Sequence, residues 1–136
     1  MGNTSSVFII DDDPIHQRIV QIMISKNQIY DDFVSFTEAD KALEFLKANS
    51  ADHAKLPDVI LLDLNMPVVD GWHFLESFEI IRRDLKKAVR VFIVTSSVDE
   101  KDIARSKLFA SVKGFISKPL TPDIIRSTLH PGLPRT

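Results

Sequence analysis

Carboxylates stand at the exits of two fully apolar segments. Asp11, Asp12 and Asp13 directly follow Val7-Phe8-Ile9-Ile10, and Asp63 closes the run Val59-Ile60-Leu61-Leu62. Acids ordinarily occupy solvated faces, but in a parallel α/β sheet the space beyond the carboxyl ends of neighbouring strands is where ligands bind. Gathering several carboxylates there is unfavourable unless a cation shares the space. The pattern predicts a divalent-metal site. Thr95 follows Val91-Phe92-Ile93-Val94, and Lys118 follows the apolar pair Phe115-Ile116 by two positions. Mg²⁺, with Mn²⁺ as an alternative, takes oxygen ligands and keeps several waters. Two or three carboxylates and a carbonyl therefore leave room for a phosphoryl oxygen. Lys118 offers a compact positive charge and Thr95 a hydroxyl donor. Such a set can stabilise a phosphoryl group forming on a carboxylate nucleophile, because positioning and charge neutralisation carry most of that catalysis.

The elements that must position these groups alternate between short apolar runs and amphipathic segments, which predicts βα repetition and a mainly parallel sheet. The first strand is Val7 to Ile10. Pro14 suits the first helical position with Asp13 as N-cap, and Ile15, Ile19, Ile22 and Met23 recur at helical spacing and are expected to face the core. Phe33, Val34 and Phe36 suggest a short edge strand. A second helix is expected from about Glu38 to Ala48, with Ala39, Ala42, Leu43 and Leu46 inward. Strand three is Val59 to Leu62, and Asp70-Gly71 marks a turn before a third helix whose inward stripe is Phe74, Leu75, Phe78 and Ile81. Strand four is Val91 to Val94. A fourth helix spans roughly Glu100 to Phe109, with Ile103, Ala104 and Leu108 as its few apolar positions. Phe115-Ile116 forms strand five, and a last helix from about Pro122 to Leu129 is stopped by Pro131-Gly132. Side-by-side strands would bring Asp11, Asp12, Asp63, Thr95 and Lys118 to one edge of the sheet.

The 136 residues read as one domain, with a core of about 7–129 and terminal tails at 1–6 and 131–136. Hydrophobic content of 44% and charged content of 26% suit a globular protein, and a net charge of −2 lacks the basic footprint of a nucleic-acid binder. With no cysteine, disulfides and thiolate metal sites are excluded and a reducing cytoplasmic setting is natural. No apolar run approaches a membrane span, and the start Met-Gly-Asn-Thr-Ser-Ser does not read as a signal peptide. Gly2 and Ser6 match the myristoylation pattern, but a frayed polar terminus is the simpler reading. His16, His53, His73 and His130 are scattered without metal-ligand spacing and read as surface residues. Trp72, just past the Asp70-Gly71 turn, reads as partly exposed, and Arg82-Arg83-Asp84-Leu85-Lys86-Lys87 as a solvated helix end.

Five pieces in order carry a resemblance: Ile10-Asp11-Asp12; Leu62-Asp63-Leu64-Asn65-Met66-Pro67; Asp70-Gly71; Val94-Thr95-Ser96; and Lys118-Pro119. From about Val7 to Leu129 the chain resembles a response-regulator receiver domain of two-component signalling, of the single-domain type. The resemblance implies a flavodoxin-like doubly wound sheet of five parallel strands, order 2-1-3-4-5, with five helices. It implies Asp63 as phospho-acceptor. Asp12, assisted by Asp11, would hold Mg²⁺ beside Asp63, with the Asn65 backbone carbonyl completing the protein ligands. Thr95 and Lys118 would contact the phosphoryl oxygens. Phe115 matches the aromatic switch position that swings inward as Thr95 moves, and lacking a hydroxyl it would act by packing alone. The Lys118-Pro119 bond would be cis.

The implied partner is a sensor histidine kinase or histidine phosphotransfer domain, docking on helix one near Ile15 and on the Pro119-Leu120 loop. The output would be a switched face on helix four, strand five and helix five, or onward relay of the phosphoryl group. That face carries Lys101, Arg105, Lys107, Lys113 and Arg126, for an acidic partner or a homodimer. Such a protein is no enzyme beyond its own phosphorylation and dephosphorylation. Two rivals are weaker. An aspartyl-nucleophile phosphohydrolase normally needs a second aspartate two residues after the nucleophile, where Asn65 stands, and a substrate cap. A phosphorylation-independent pseudo-receiver typically lacks one of the matched positions, and here all are in place.

Overall fold

The apolar four-residue runs become strands, and each strand is followed by a helix that packs back onto the sheet. The computed structural model describes residues 5–64 and 71–129. Its strands are β1 (Ser6–Ile10), β2 (Asp32–Phe36), β3 (Val59–Asp63), β4 (Arg90–Thr95) and β5 (Val112–Ser117), and its helices α1 (Pro14–Asn27), α2 (Ala39–Ala48), α3 (Gly71–Ile81), α4 (Glu100–Ser106) and α5 (Pro122–Ser127). All strand pairs are parallel, in the order β2-β1-β3-β4-β5. β2 is an edge, as its polar flanks predict. Every residue of the central β3 is buried, which is why that segment reads as an unbroken apolar run.

Strand alternation divides the core into two layers. Phe8, Ile10, Ile60, Leu62, Val91 and Ile93 pack with α2 and α3. Val7, Ile9, Val59, Leu61, Phe92 and Val94 pack with α1 and α5. Parallel strands with helices on both faces put every strand's carboxyl end on the same edge. The acids therefore meet there as a consequence of topology. Among the described residues, no helix is long and apolar enough to cross a membrane.

Several expectations are corrected. On α1 the buried face is Gln17, Val20 and Ile24, whereas Ile15 is 72% exposed and Ile19 and Ile22 also face solvent. Met23 alone of the expected stripe packs against the core. Two stripes offset around the helix both satisfy the 3.6-residue period, and a glutamine in the true one disguised it. Trp72 is buried, not half exposed, at 9% accessibility. The Arg105 guanidinium covers it from α4, 4.4 Å from the ring centroid, and Phe109 lies 6.1 Å away. Leu108, expected inward, is 79% exposed, and Ala104 is exposed too. Helix α4 stops at Ser106, and Phe109 carries the packing there. Helix α5 is also shorter than expected, ending at Ser127. Lys87 leaves the solvated tract to pair with Asp58 at 3.1 Å and to donate to the Leu56 carbonyl.

One buried polar link ties the connection between α1 and β2 to the end of α5. The Tyr30 hydroxyl donates to Thr128 Oγ1 at 2.5 Å, and Thr128 Oγ1 donates to the Ile125 carbonyl at 2.6 Å. Burial pushes the Tyr30 phenol up from 10.0 to about 12. The neutral phenol is the form the fold favours, so this contribution is fully present below pH 10 and is lost as pH rises from 10 to about 12. Two pH units correspond to about 3 kcal/mol. Urea melts across that range are expected to show this loss in the native protein and its near-absence in Tyr30→Phe.

Candidate functional site

At the carboxyl edge of the sheet, one carboxylate oxygen from each of Asp11, Asp12 and Asp63 lies within 4.8 Å of the others. Asp11 and Asp63 are buried, and Asp12 reaches solvent. Asp63 is the last residue of β3, opposite Val94 of β4 in register. Lys118 follows β5 directly, and its Nζ donates to Asp63 Oδ2 at 3.4 Å. Thr95 ends β4. Its backbone carbonyl accepts from Lys118 N–H at 2.9 Å, so the two residues are held as a unit. The Thr95 hydroxyl donates to the Ser97 carbonyl at 3.3 Å and accepts from Ser97 N–H at 3.2 Å. The Lys118–Pro119 peptide is cis. Phe115 is half-buried on β5, beside Ile93 in register and packed against the α2–α3 layer. Asn65, whose carbonyl is expected among the metal ligands, lies outside the described residues, as do Met66, Pro67, Asp70 and His130.

The start of α1 fixes the acidic pair. Asp13 caps the helix by accepting from Ile15 and His16 N–H groups, and Pro14 takes the first position. Asp11 Oδ1 accepts from Asp13 N–H at 2.9 Å, and His16 Nδ1 donates to Asp11 Oδ2. Gln17, 6% exposed, donates through Nε2 to the carbonyls of Asp11 and Phe36, each at 2.7 Å. That amide ties the ends of β1 and β2 to the helix. Gln17→Leu leaves the Asp11 carbonyl without this donor and is expected to cost about 1–3 kcal/mol, measured as a lower urea midpoint at unchanged m-value.

Gly71 is a second position that composition alone undersells. Its N–H donates to the Leu64 carbonyl at 3.2 Å. A Cβ there would meet Leu64 Cα at 2.9 Å and the Asp63 carbonyl at 3.1 Å, so only glycine lets α3 begin against the end of β3 without shifting it. His16, Gln17 and Gly71 were all missed as site residues. For the first two the signal was present: a helix that starts immediately after the acids must aim its first-turn side chains back at them.

Among the described residues, three carboxylates share this space with the Lys118 ammonium. All the side-chain donors facing one another are hard oxygens, so the residues suit a hard divalent cation such as Mg²⁺. Asp63 is buried at this edge with the Lys118 ammonium 3.4 Å from its Oδ2.

Comparison with known proteins gives matches in both sequence and fold. Residues 7–130 match the response regulator receiver domain family. The two-component response regulator ORR1 of Oryza sativa subsp. japonica is 28% identical over 116 residues, covering 84% of this chain and 49% of that protein. The nitrate/nitrite response regulator protein NarL of Escherichia coli strain K12 is 28% identical over 127 residues, covering 93% of this chain and 53% of that protein. The chain thus spans about half the length of these relatives. A two-component response regulator from Cytophaga hutchinsonii superposes with TM-score 0.79 at 26% identity, covering 94% of this chain and 96% of its own. A response regulator receiver protein from Dyadobacter fermentans gives TM-score 0.79 at 28% identity, covering 92% and 94%.

Proposed function

Because the chain belongs to the response regulator receiver domain family, we propose that Asp63 accepts a phosphoryl group from a phosphohistidine on a sensor kinase or phosphotransfer domain. The observation that carries this reading is the convergence of Asp11, Asp12 and Asp63 within 4.8 Å, with Lys118 Nζ 3.4 Å from Asp63. An Asp63 carboxylate oxygen attacks phosphorus as the P–N bond to the donor imidazole breaks, and the departing nitrogen keeps the bonding pair and is protonated. Asp11, Asp12 and Asp63, with the Asn65 carbonyl that the family resemblance implies, would hold a divalent cation, which would supply charge neutralisation for the phosphoryl oxygens. Lys118 follows its carboxylate partner onto a phosphoryl oxygen, which adds a charge-assisted hydrogen bond as negative charge accumulates.

The Thr95 hydroxyl must give up its donated bond to the Ser97 carbonyl to donate to the phosphoryl group. That exchange moves the β4–α4 connection and makes room for Phe115 to pack deeper, so acylation of Asp63 biases the surface formed by α4, β5 and α5. Lys101, Lys107 and Lys113 are exposed there and suit an acidic partner; Arg105 is engaged with Trp72 and with Glu76 at 4.0 Å. On the donor side, the exposed Ile15, Ile19 and Ile22 of α1 form an apolar stripe beside Arg18 and Lys26. Such a stripe, with the exposed Pro119, suits docking of a phosphohistidine-bearing partner.

Phosphoramidate with Mg²⁺ should give a single, stoichiometric acyl phosphate that decays without further products. Incubation with small phosphate esters should release no more phosphate than one equivalent of protein. Sustained turnover of such esters would instead identify a phosphohydrolase.

A further inference from the structure

We propose that His16 is a positioning residue for the divalent-ion site, its imidazole holding the Asp11 carboxylate in the orientation the ion requires; the inference rests on the metal-assisted reading of Asp63. Asp11 is 2% exposed. Its backbone carbonyl is held by Gln17, its Oδ1 by Asp13 N–H, and its Oδ2 by His16 Nδ1. Three consecutive features of the α1 start, namely the capping residue, the imidazole and the amide, thus converge on a single acid.

The imidazole contact differs from the other two. Around Asp11 and His16 lies a narrow cavity whose other walls include Ile9, Val20, Leu61, Leu120 and Asp63. Without His16, Asp11 Oδ2 would face this largely apolar space and a second carboxylate. An ionised oxygen left there without a donor is unfavourable, and the side chain would turn away to find one. A hydrogen bond in such surroundings is also stronger than one in water. A carboxylate offers about four lone-pair sites. The bonds to Asp13 and His16 use one on each oxygen and leave the others for an ion or its bound water. His16 therefore fixes the group without blocking it.

Hydrogen-bond partners of ligating carboxylates orient the ligands and tune metal affinity. Losing one typically costs ~10–100-fold. The test is calorimetric titration of Mg²⁺ into the native protein, His16→Leu and His16→Asn, with thermal melts of the metal-free proteins alongside. Leucine fills a similar volume with no donor, and asparagine restores an N–H at short reach. His16→Leu should bind Mg²⁺ about 10-fold or more weakly, His16→Asn should recover most of that loss, and the metal-free proteins should both melt cooperatively, His16→Leu somewhat below the native protein because the buried Asp11 oxygen loses a donor. Undiminished or tighter binding by His16→Leu would overturn the proposal, as it would show that the imidazole competes with the ion. Equal weakening in the asparagine variant would overturn it too, since packing rather than the hydrogen bond would then be responsible. If the native protein takes up no Mg²⁺, this inference and the metal-assisted reading fall together. If the His16 dependence holds but Asp63 accepts no phosphoryl group, only the functional reading fails.

Discussion

Lys118→Met is expected to slow phosphoryl incorporation on the order of 10²–10³-fold, the usual consequence of removing one preorganised donor from developing negative charge. Mg²⁺ affinity should not fall in the same variant. Lys118 Nζ sits 3.4 Å from Asp63 Oδ2, so removing it takes away a cation that shares the carboxylate with the ion. The two readouts therefore move in different directions, which a general loss of structure could not produce. Time-resolved intact mass with phosphoramidate gives the first and calorimetry the second. Methionine keeps the length of the stem while removing the charge.

Asp12→Ala carries the second large effect. At an effective dielectric constant near 20, a pair of unit charges about 4 Å apart is worth about 4 kcal/mol, and a divalent ion doubles the attraction before solvation is regained. Even a quarter of that sum surviving would weaken Mg²⁺ binding by at least ~10-fold, and half of it by ~10³-fold. The metal-free variant should be no less stable than the native protein, and is expected to melt slightly higher. Among the described residues, Asp12 reaches solvent, takes part in none of the hydrogen bonds that hold Asp11, and adds like charge to two buried carboxylates. Sites that gather repelling groups give up stability for chemistry, and calorimetry paired with thermal melts would show both sides of that exchange.

The strands were legible because burial on both faces leaves an unbroken apolar run, and each run ends where its functional group begins: Asp11 after Ile10, Asp63 after Leu62, Thr95 after Val94. Parallel topology then does the rest, since it sends all those ends to one edge. The faces of the helices were harder. The buried stripe of α1 contains Gln17, whose burial is compensated by two backbone carbonyls that no periodicity reveals. Ile15, Ile19 and Ile22 recur at the same helical spacing but face solvent. Trp72 is covered by Arg105, a contact between α3 and α4 that depends on tertiary placement alone. His16 looked like one scattered histidine among four; only the tight start of α1 brings it to Asp11. What escaped sequence reasoning was therefore the set of side chains that hold the acids, while the acids themselves were plain.

The most direct test adds phosphoramidate with Mg²⁺ to the native protein and to Asp63→Asn and follows both by intact mass. One phosphoryl adduct is expected on the native chain, none when Mg²⁺ is chelated, and none on Asp63→Asn. An adduct that persists on the Asp63→Asn protein would contradict the account.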